Sequence, residues 1–478
     1  MPTQIKFGTD GWRGIIAEDY TFENVRRCAQ GMAQYLIATN QTARGLVVGY
    51  DTRFEAEQFA QAVAEVVAAH NIKVYLVDRP TPTPVISFAI LDKKASGAVN
   101  LTSSHNPPIW GGFKVRADYA GAIAPDGLKQ IEALIPPPEN IKRMHYQDAV
   151  SKGLIQVFDP KPAFLKQLDK LVNIDPLRKA GLTVAVDSMW GAGMGWFKGL
   201  LAGGTTRVVE IHDHRNPAFP EMNNPEPIPP NVNGLMELVK REKANLGIAT
   251  DGDADRVGGS TEQGVFIHQL QMFALLTLYL LEVRGFRGPI VKTLNTTSML
   301  DLLGKRFNVP VYETGVGFKY VAPKILETNA LIGGEESGGY AFRGHIPERD
   351  GIVAGLFLLD AVVQTGKTPS QLLDHLFELV GPHYYERIDT DFPEDKRGEI
   401  LGRLQSAKPS EVAGFQVTGI NTMDGFKYLL DDGGWMCIRF SGTEPIMRFY
   451  VETTKDEKRR EILEAGLKLA GLDNYGIS

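Results

Sequence analysis

Apolar, strand-like runs that end abruptly in glycine and acidic residues recur along this chain, and the recurrence restricts its fold more than any other feature. Early in the chain, GLVVGYD (45–51) and IKVYLVD (72–78) flank a segment from Glu55 to His70 that places Phe59, Val63, Val66 and Val67 on one helical face. The proline-punctuated TPTPVISF then turns into a helix, and the apolar GAVNL opens into the polar loop TSSHNPPIWGGFK (102–114). The same grammar returns in TVAVDSMWGAG (183–193), RVVEIHD (207–213) and NLGIATDGDADR (245–256). It returns once more in PIVKTLNTT (289–297), VPVYETGVGFK (309–319) and ALIGGEESGG (330–339), with the helical QLQMFALLTLYLLE (269–282) ahead of them. The pattern predicts three mixed α/β units in series, each with its unusual loop at a strand's carboxyl end, where open α/β sheets bind ligands.

The last hundred residues read differently. HYYERID, FQVTGI, FKYLL, MCIRFS and IMRFYVE are strands joined by short turns, and a charged helix follows from about 456 to 470, which predicts a smaller α+β domain. The expected division is 1–150, 151–260, 261–375 and 376–478, with the proline-rich 214–234 as a surface loop rather than a linker.

With 43% apolar and 23% charged residues the chain can bury real cores, so global disorder is excluded. Its 51 basic and 57 acidic side chains leave a net charge of −6, which gives no support for nucleic-acid binding and confines anion recognition to local basic clusters. Only Cys28 and Cys437 occur, which excludes a disulfide scaffold and a cysteine zinc site. The amino-terminal MPTQIKFGTDGWRGI lacks a basic-then-apolar leader, and no apolar run is long enough to span a bilayer, so a cytoplasmic protein with no membrane partner is expected.

Four loops could carry chemistry. In TSSHNPP, a serine beside a histidine is a candidate nucleophile without the GxSxG elbow of a hydrolase, and an Asn-Pro turn capped by hydroxyls is the alternative. Lys114, after Gly111-Gly112, could return a cation to the space above the serine. In DGDADR, Asp251, Asp253 and Asp255 can converge on one hard cation such as Mg2+. Without one, each like-charged pair at roughly 4 Å costs on the order of 4 kcal/mol, which favours either an ion or a splayed loop. The sixth position of that loop is Arg256 rather than glycine, which weighs against a calcium loop and places an arginine where it could hold phosphate.

In GGEESGG, Glu335 and Ser337 could receive paired sugar hydroxyls if the glycines bring backbone close to ligand, and GHIPERDG adds His345, Arg349 and Asp350. RFSGTEPIMR offers Arg439, Ser441, the Gly442 amide, Thr443 and Arg448 as a phosphate cradle, with a hairpin bearing surface arginines as the alternative. No GxxxxGK[ST] loop occurs, so a P-loop ATPase is disfavoured. The opening FGTDGWRG adds Thr9 and Arg13, whereas His212 and His214 lack a third zinc ligand in the sequence.

Taken together, FGTDGWRG, TSSHNPP, DGDADR, GEESGG and RFSGTEP, in this order, closely resemble the α-D-phosphohexomutase family, specifically its phosphoglucomutase/phosphomannomutase enzymes. The resemblance spans essentially the whole chain. It implies a four-domain, heart-shaped fold, with three related α/β domains and a C-terminal α+β domain around a central cleft. It further implies that Ser104 is a phosphoserine and that Ser104, Asp251, Asp253 and Asp255 hold Mg2+. Lys114, His105, Arg13 and Arg256 would serve the transfer, and Glu335, Ser337, His345 and Arg349 the sugar, although a lysine commonly stands at the position of Arg349. Arg439, Ser441, Gly442, Thr443 and Arg448 would hold the nonreacting phosphate. Ser103 stands where alanine is common.

The implied reaction interconverts glucose 1-phosphate and glucose 6-phosphate through glucose 1,6-bisphosphate, extending to mannose phosphates. The expected partners are small-molecule hexose phosphates, acting on a monomer or homodimer. Phosphoglucosamine mutase, a sugar 1,6-bisphosphate synthase and a noncatalytic sugar-phosphate sensor are the alternatives. The first is disfavoured because GEESGG departs from that subgroup's usual GEQSGH at Glu336 and Gly339.

Overall fold

A computed structural model describes residues 5–8, 10–441 and 446–472. The first run of strands comprises β1 (Gly11–Ile15), β2 (Leu46–Tyr50), β3 (Val74–Val77), β4 (Gly97–Leu101), β5 (Trp110–Ala117) and β6 (Ile155–Phe158), in the sheet order β1-β5-β4-β2-β3-β6. The second comprises β7 (Thr183–Asp187), β8 (Arg207–Ile211), β9 (Leu246–Thr250), β10 (Val257–Ser260) and β11 (Phe266–Ile267), ordered β11-β10-β9-β7-β8. The third comprises β12 (Ile290–Thr293), β13 (Val311–Thr314), β14 (Ile332–Gly334) and β15 (Tyr340–Phe342), ordered β13-β12-β14-β15.

One plan underlies all three sheets. Three strands run parallel, β3-β2-β4, β8-β7-β9 and β13-β12-β14, and a fourth returns antiparallel on the last of them as β5, β10 or β15. Parallel neighbours need long helical crossovers, whereas the antiparallel return needs only a short loop. That loop is 102–109 in the first unit, 251–256 in the second and 335–339 in the third. The three segments singled out for chemistry are therefore topological equivalents. Strands β2, β4 and β9 are buried along their whole length, which accounts for their unbroken apolar sequences.

The fourth unit is an antiparallel sheet of β16 (Tyr384–Asp391), β17 (Glu411–Val412), β18 (Phe415–Asn421), β19 (Phe426–Leu430), β20 (Trp435–Phe440) and β21 (Ile446–Thr453). Its order is β16-β21-β20-β19-β18-β17, and the helices Arg397–Ser406 and Arg459–Ala470 pack together beside it. The first and fourth units have cores of their own, but the second and third share one, in which Phe197 and Ile248 join Phe273 and Phe357.

The three expected seams cut through connected structure rather than between units. Strand β6 pairs with β3 and carries the first sheet past residue 150; the β10–β11 hairpin crosses 260/261; and the helix Pro369–Val380, packed on the helices Gln269–Leu278 and Met299–Phe307, crosses 375/376. The edge strands are too short to show a period, and the preceding helix Gly351–Thr365 is buried from Gly351 through Val362, so it has no amphipathic stripe to mark it. The segment read as one polar loop over 102–114 turns into β5 at Trp110. No helix among the described residues is long and apolar enough to cross a membrane.

Candidate active site

The return loops of the first two units meet at Ser104. Its Oγ donates to Asp251 Oδ2 at 2.8 Å, its amide donates to Thr102 Oγ1 at 2.8 Å, and its φ of 50° is left-handed. The approach depends on Gly252, because a Cβ there would sit 2.6 Å from the Ser104 carbonyl oxygen. On β5, Lys114 Nζ donates to Asp253 Oδ2 at 3.0 Å and stands 3.7 Å from both Asp10 and Asp255. Thr83, at the head of the helix Thr83–Lys93, donates its hydroxyl to the same Asp253 oxygen at 2.6 Å.

The three aspartates are buried, and their electrostatics differ. Burial pushes the Asp251 carboxyl well up, and repulsion from Asp253 and Asp255 adds to it. Burial also opposes ionisation of Asp253, but Lys114 and the Thr83 hydroxyl outweigh it and hold that carboxyl below the usual range. Each aspartate offers an oxygen within 4.8 Å of the others, and Asp253 Oδ1 and Asp255 Oδ1 have no hydrogen-bond donor. Buried, donor-poor carboxylate oxygens in an all-oxygen set fit a hard divalent cation.

Cations surround this point. The Arg13 side chain, on β1, makes no hydrogen bond or ion pair among the described residues. Arg256 pairs with Glu226 Oε1 at 2.9 Å, so the proline-rich loop 214–234 reaches into the site. The His105 imidazole is held neutral, because burial and then Arg256, Arg13 and Lys114 drive its pKa well below the ordinary value. Asp10 is brought down to about 2, since Arg116, Lys114 and Arg349 overcome the opposing effect of burial.

The third loop joins through Arg349, whose guanidinium lies 2.9 Å from Asp255 Oδ2, 3.3 Å from Glu335 Oε2 and 3.4 Å from Glu348. Its path exists because position 339 is glycine: a Cβ there would come within 2.2 Å of Arg349 Cδ. Burial raises the Glu335 pKa, with Arg349 opposing. Ser337 is half-buried on the same turn.

His345 departs from expectation. Its side chain has no exposed area; it packs against the rings of Phe88 and Phe164 and bonds Asp350 Oδ2 through Nε2 at 2.9 Å. Asp350 in turn caps the helix Gly351–Thr365 by accepting from the amides of Ile352 and Val353. His345 therefore supports a helix cap and is not placed to meet a sugar. Glu336 turns to the fourth unit, accepting from Tyr385 Oη at 2.5 Å and pairing with Arg387 at 3.3 Å.

In the fourth unit Arg439 and Arg448 are cross-strand partners on β20 and β21. Arg439 pairs with Asp424 at 3.0 Å, and Asp424 also accepts the Val316 amide of the third unit at 2.7 Å. Arg448 lies 3.5 Å from Asp389, which also pairs with Arg387, and the Ser441 amide donates to Ile446 O. Gly442 and Thr443, like Thr9, lie outside the described residues. Sequence reading missed Asp10, Arg53, Thr83, Glu226 and Arg387. Of these, Asp10 lies inside the quoted FGTDGWRG, and Arg53 stands two places after Asp51, the acid that follows β2.

Family profiles described as the phosphoglucomutase/phosphomannomutase α/β/α domains I, II and III and C-terminal domain match residues 4–141, 162–264, 269–380 and 399–468. A phosphoglucomutase/phosphomannomutase of Thermococcus kodakarensis is 34% identical over 97% of this chain and 98% of its own. A Methanothermobacter thermautotrophicus protein assigned as a phosphoglucosamine mutase is 31% identical over 96% of each chain. A crystal structure from Thermus thermophilus, assigned as a phosphomannomutase, superposes with a TM-score of 0.85 at 35% identity, covering 98% of this chain and 100% of the other.

Proposed function

Since this chain belongs to the phosphoglucomutase/phosphomannomutase family of phosphohexomutases, enzymes of intramolecular phosphoryl transfer on sugar phosphates, we propose that it interconverts glucose 1-phosphate and glucose 6-phosphate with Ser104 as phosphoryl carrier. The observation that carries this reading is the Ser104 hydroxyl held 2.8 Å from Asp251, among Lys114, Arg13 and His105. A phosphoryl transfer asks little covalent chemistry of a protein and much positioning and charge neutralisation.

In this account phosphorylated Ser104 gives its phosphoryl group to the free 6-hydroxyl of glucose 1-phosphate: the serine O–P bond breaks as the sugar O–P bond forms. The hydroxyl proton passes to a neighbouring base; the burial and cations that depress the His105 pKa make that imidazole a weak acceptor until negative charge develops on the transferring group. Arg13, whose side chain makes no hydrogen bond or ion pair among the described residues, and Lys114 take the phosphoryl oxygens. Glucose 1,6-bisphosphate then turns round and returns its 1-phosphoryl group to Ser104, leaving glucose 6-phosphate. Glu335 and Ser337 receive sugar hydroxyls, and Arg439, Ser441 and Arg448 hold the nonreacting phosphate. Asp251, Asp253 and Asp255, with Ser104, would hold Mg2+, which when bound neutralises charge on the transferring group.

Glucose is favoured over glucosamine because the loop reads GEESGG, departing at Glu336 and Gly339 from the GEQSGH usual in the glucosamine subgroup, and Glu336 is engaged by Tyr385 and Arg387. The test supplies Mg2+ and a bisphosphate activator and follows glucose, mannose and glucosamine 1-phosphates in parallel. Glucose turnover highest of the three is expected, and a preference for glucosamine 1-phosphate overturns the reading.

A further inference from the structure

Arg53 follows β2, remote in sequence from every loop discussed above, and is 2% exposed. Its guanidinium is spent on main-chain carbonyls of the nucleophile segment. Nη2 donates to Ser104 O at 2.7 Å and Asn106 O at 2.6 Å, Nη1 donates to Pro107 O at 2.8 Å and Trp110 O at 3.0 Å, and Nε lies 3.3 Å from Asp51 Oδ2. A loop with two consecutive prolines, Pro107 and Pro108, is poor in amide donors, so carbonyls turned inward need a donor from elsewhere. The planar five-donor fork supplies four at once from one rigid centre, which a lysine cannot.

The turn that carries Arg53 is itself gripped by the second unit. Thr52 Oγ1 donates to Trp190 O at 2.8 Å, and Arg215 donates to the carbonyls of Thr52 and Arg53, both at 3.1 Å. The Phe219 ring centre lies 5.2 Å from the Arg53 guanidinium carbon. The second unit therefore holds Ser104 from two sides, at its hydroxyl through Asp251 and at its carbonyl through the 51–53 turn and Arg53.

We infer that Arg53 is the positioning residue of the nucleophile: by fixing four carbonyls around Ser104 it keeps that residue left-handed and its hydroxyl aimed at the metal loop. The inference rests on the reading of Ser104 as phosphoryl carrier. Arg53 acts through the loop, and its substitution should therefore slow the chemical step while leaving substrate capture intact.

The experiment compares steady-state kinetics of the wild type with Arg53→Lys, Arg53→Ala, Ser104→Ala and, as a control for the loss of a buried arginine elsewhere in the unit, Arg27→Ala. Arg27 is a buried arginine of the same unit that bonds Pro136 O, outside the nucleophile loop. Arg53→Lys is expected to lower kcat about 100-fold, the scale of a roughly 1 Å misplacement, with KM within about twofold. Hydrogen exchange in that variant should quicken at the amides of 103–106, and Arg27→Ala should change neither readout. If Arg53→Ala does not fold, Arg53→Lys carries the test. A kcat within twofold of wild type in Arg53→Lys, or a rise in KM alone, overturns the positioning role. Turnover retained by Ser104→Ala would instead overturn the carrier reading, so the two failures are distinguishable.

Discussion

The loop 102–109 after β4 and the loop 251–256 after β9 occupy the same place in two related sheets, yet they differ in how the main chain is held and in which buried groups lack partners. In the first, one guanidinium answers three main-chain carbonyls of the loop and that of Trp110 just beyond it, the serine hydroxyl has a single acceptor, and the partnerless buried atoms are the neutral Ser103 Oγ, His105 Nδ1 and Asn106 Oδ1. In the second, carboxylate oxygens of Asp253 and Asp255 are buried without hydrogen-bond donors, and Asp251 is pressed towards its protonated form. A loop whose main-chain carbonyls are tied to one rigid donor holds its backbone still, whereas buried carboxylate oxygens without donors keep capacity for a cation. On the proposed reading, equivalent positions in a repeated fold have complementary jobs, one presenting a nucleophile and the other receiving a cation.

Removing the presented atom should have the largest effect. Ser104→Ala is expected to lower turnover on the order of 10^4-fold or more, measured by coupled assay, with sugar-phosphate affinity by calorimetry little changed. Comparable turnover would dissolve the contrast between the loops. Asp251→Asn probes the other loop, where an amide preserves the shape and removes a buried like charge. Mg2+ at 100 times its Kd should stabilise the wild type by about 2.7 kcal/mol in thermal unfolding and the variant by much less. An equal response in both would remove the cation from this loop.

A smaller effect is expected where the third loop leans on the second. Gly339→Ala places a methyl group within 2.2 Å of Arg349 Cδ and should displace the guanidinium from Asp255 and Glu335. We expect kcat/KM for glucose 1-phosphate to fall about tenfold, equivalent to about 1.4 kcal/mol. Unchanged kinetics would show that the Arg349 bridge plays no part in the reaction.

The smallest effect is a background against which the loops can be compared. His268 caps the helix Gln269–Leu278 by accepting the Gln271 amide, and burial, with Arg459 adding to it, brings its pKa down to about 3. Between that value and an unfolded pKa of about 6.5 the unfolded chain binds a proton that the folded chain refuses. Stability is therefore intact above the upper limit and falls as pH drops, by at most about 1.4 kcal/mol per pH unit. His105, also held neutral, contributes with the same sign. His268→Asn keeps a good cap and should flatten part of this slope in denaturant titrations at several pH values, whereas an unaltered slope would assign the loss elsewhere.

The repeated plan was legible because each unit places an apolar run before its distinctive loop, as GAVNL before TSSHNPP and NLGIAT before DGDADR. What the sequence concealed arrives from a distance. Thr83 and Lys114 share one oxygen of Asp253 from 170 and 139 positions away, and Glu226 reaches Arg256 out of a segment that looked like loop filler. His345 misled for a local reason: it follows the sugar loop in order, but the turn at Gly344 sends it into the aromatic packing of Phe88 and Phe164. The glycine-rich composition is explained at three points, Gly112, Gly252 and Gly339, where a Cβ would strike the Thr102 carbonyl, the Ser104 carbonyl and the Arg349 side chain.

The most direct test of the complementary roles of these two loops is to incubate the purified enzyme with Mg2+ and isotopically labelled glucose 1,6-bisphosphate, map the labelled residue by peptide mass spectrometry, and chase with unlabelled glucose 1-phosphate. The expected result is label on Ser104 that leaves for the sugar during the chase, and neither event in Asp251→Asn, whose Mg2+ response is expected to be weakened. Label on another residue, or turnover with Ser104 never labelled, would contradict it.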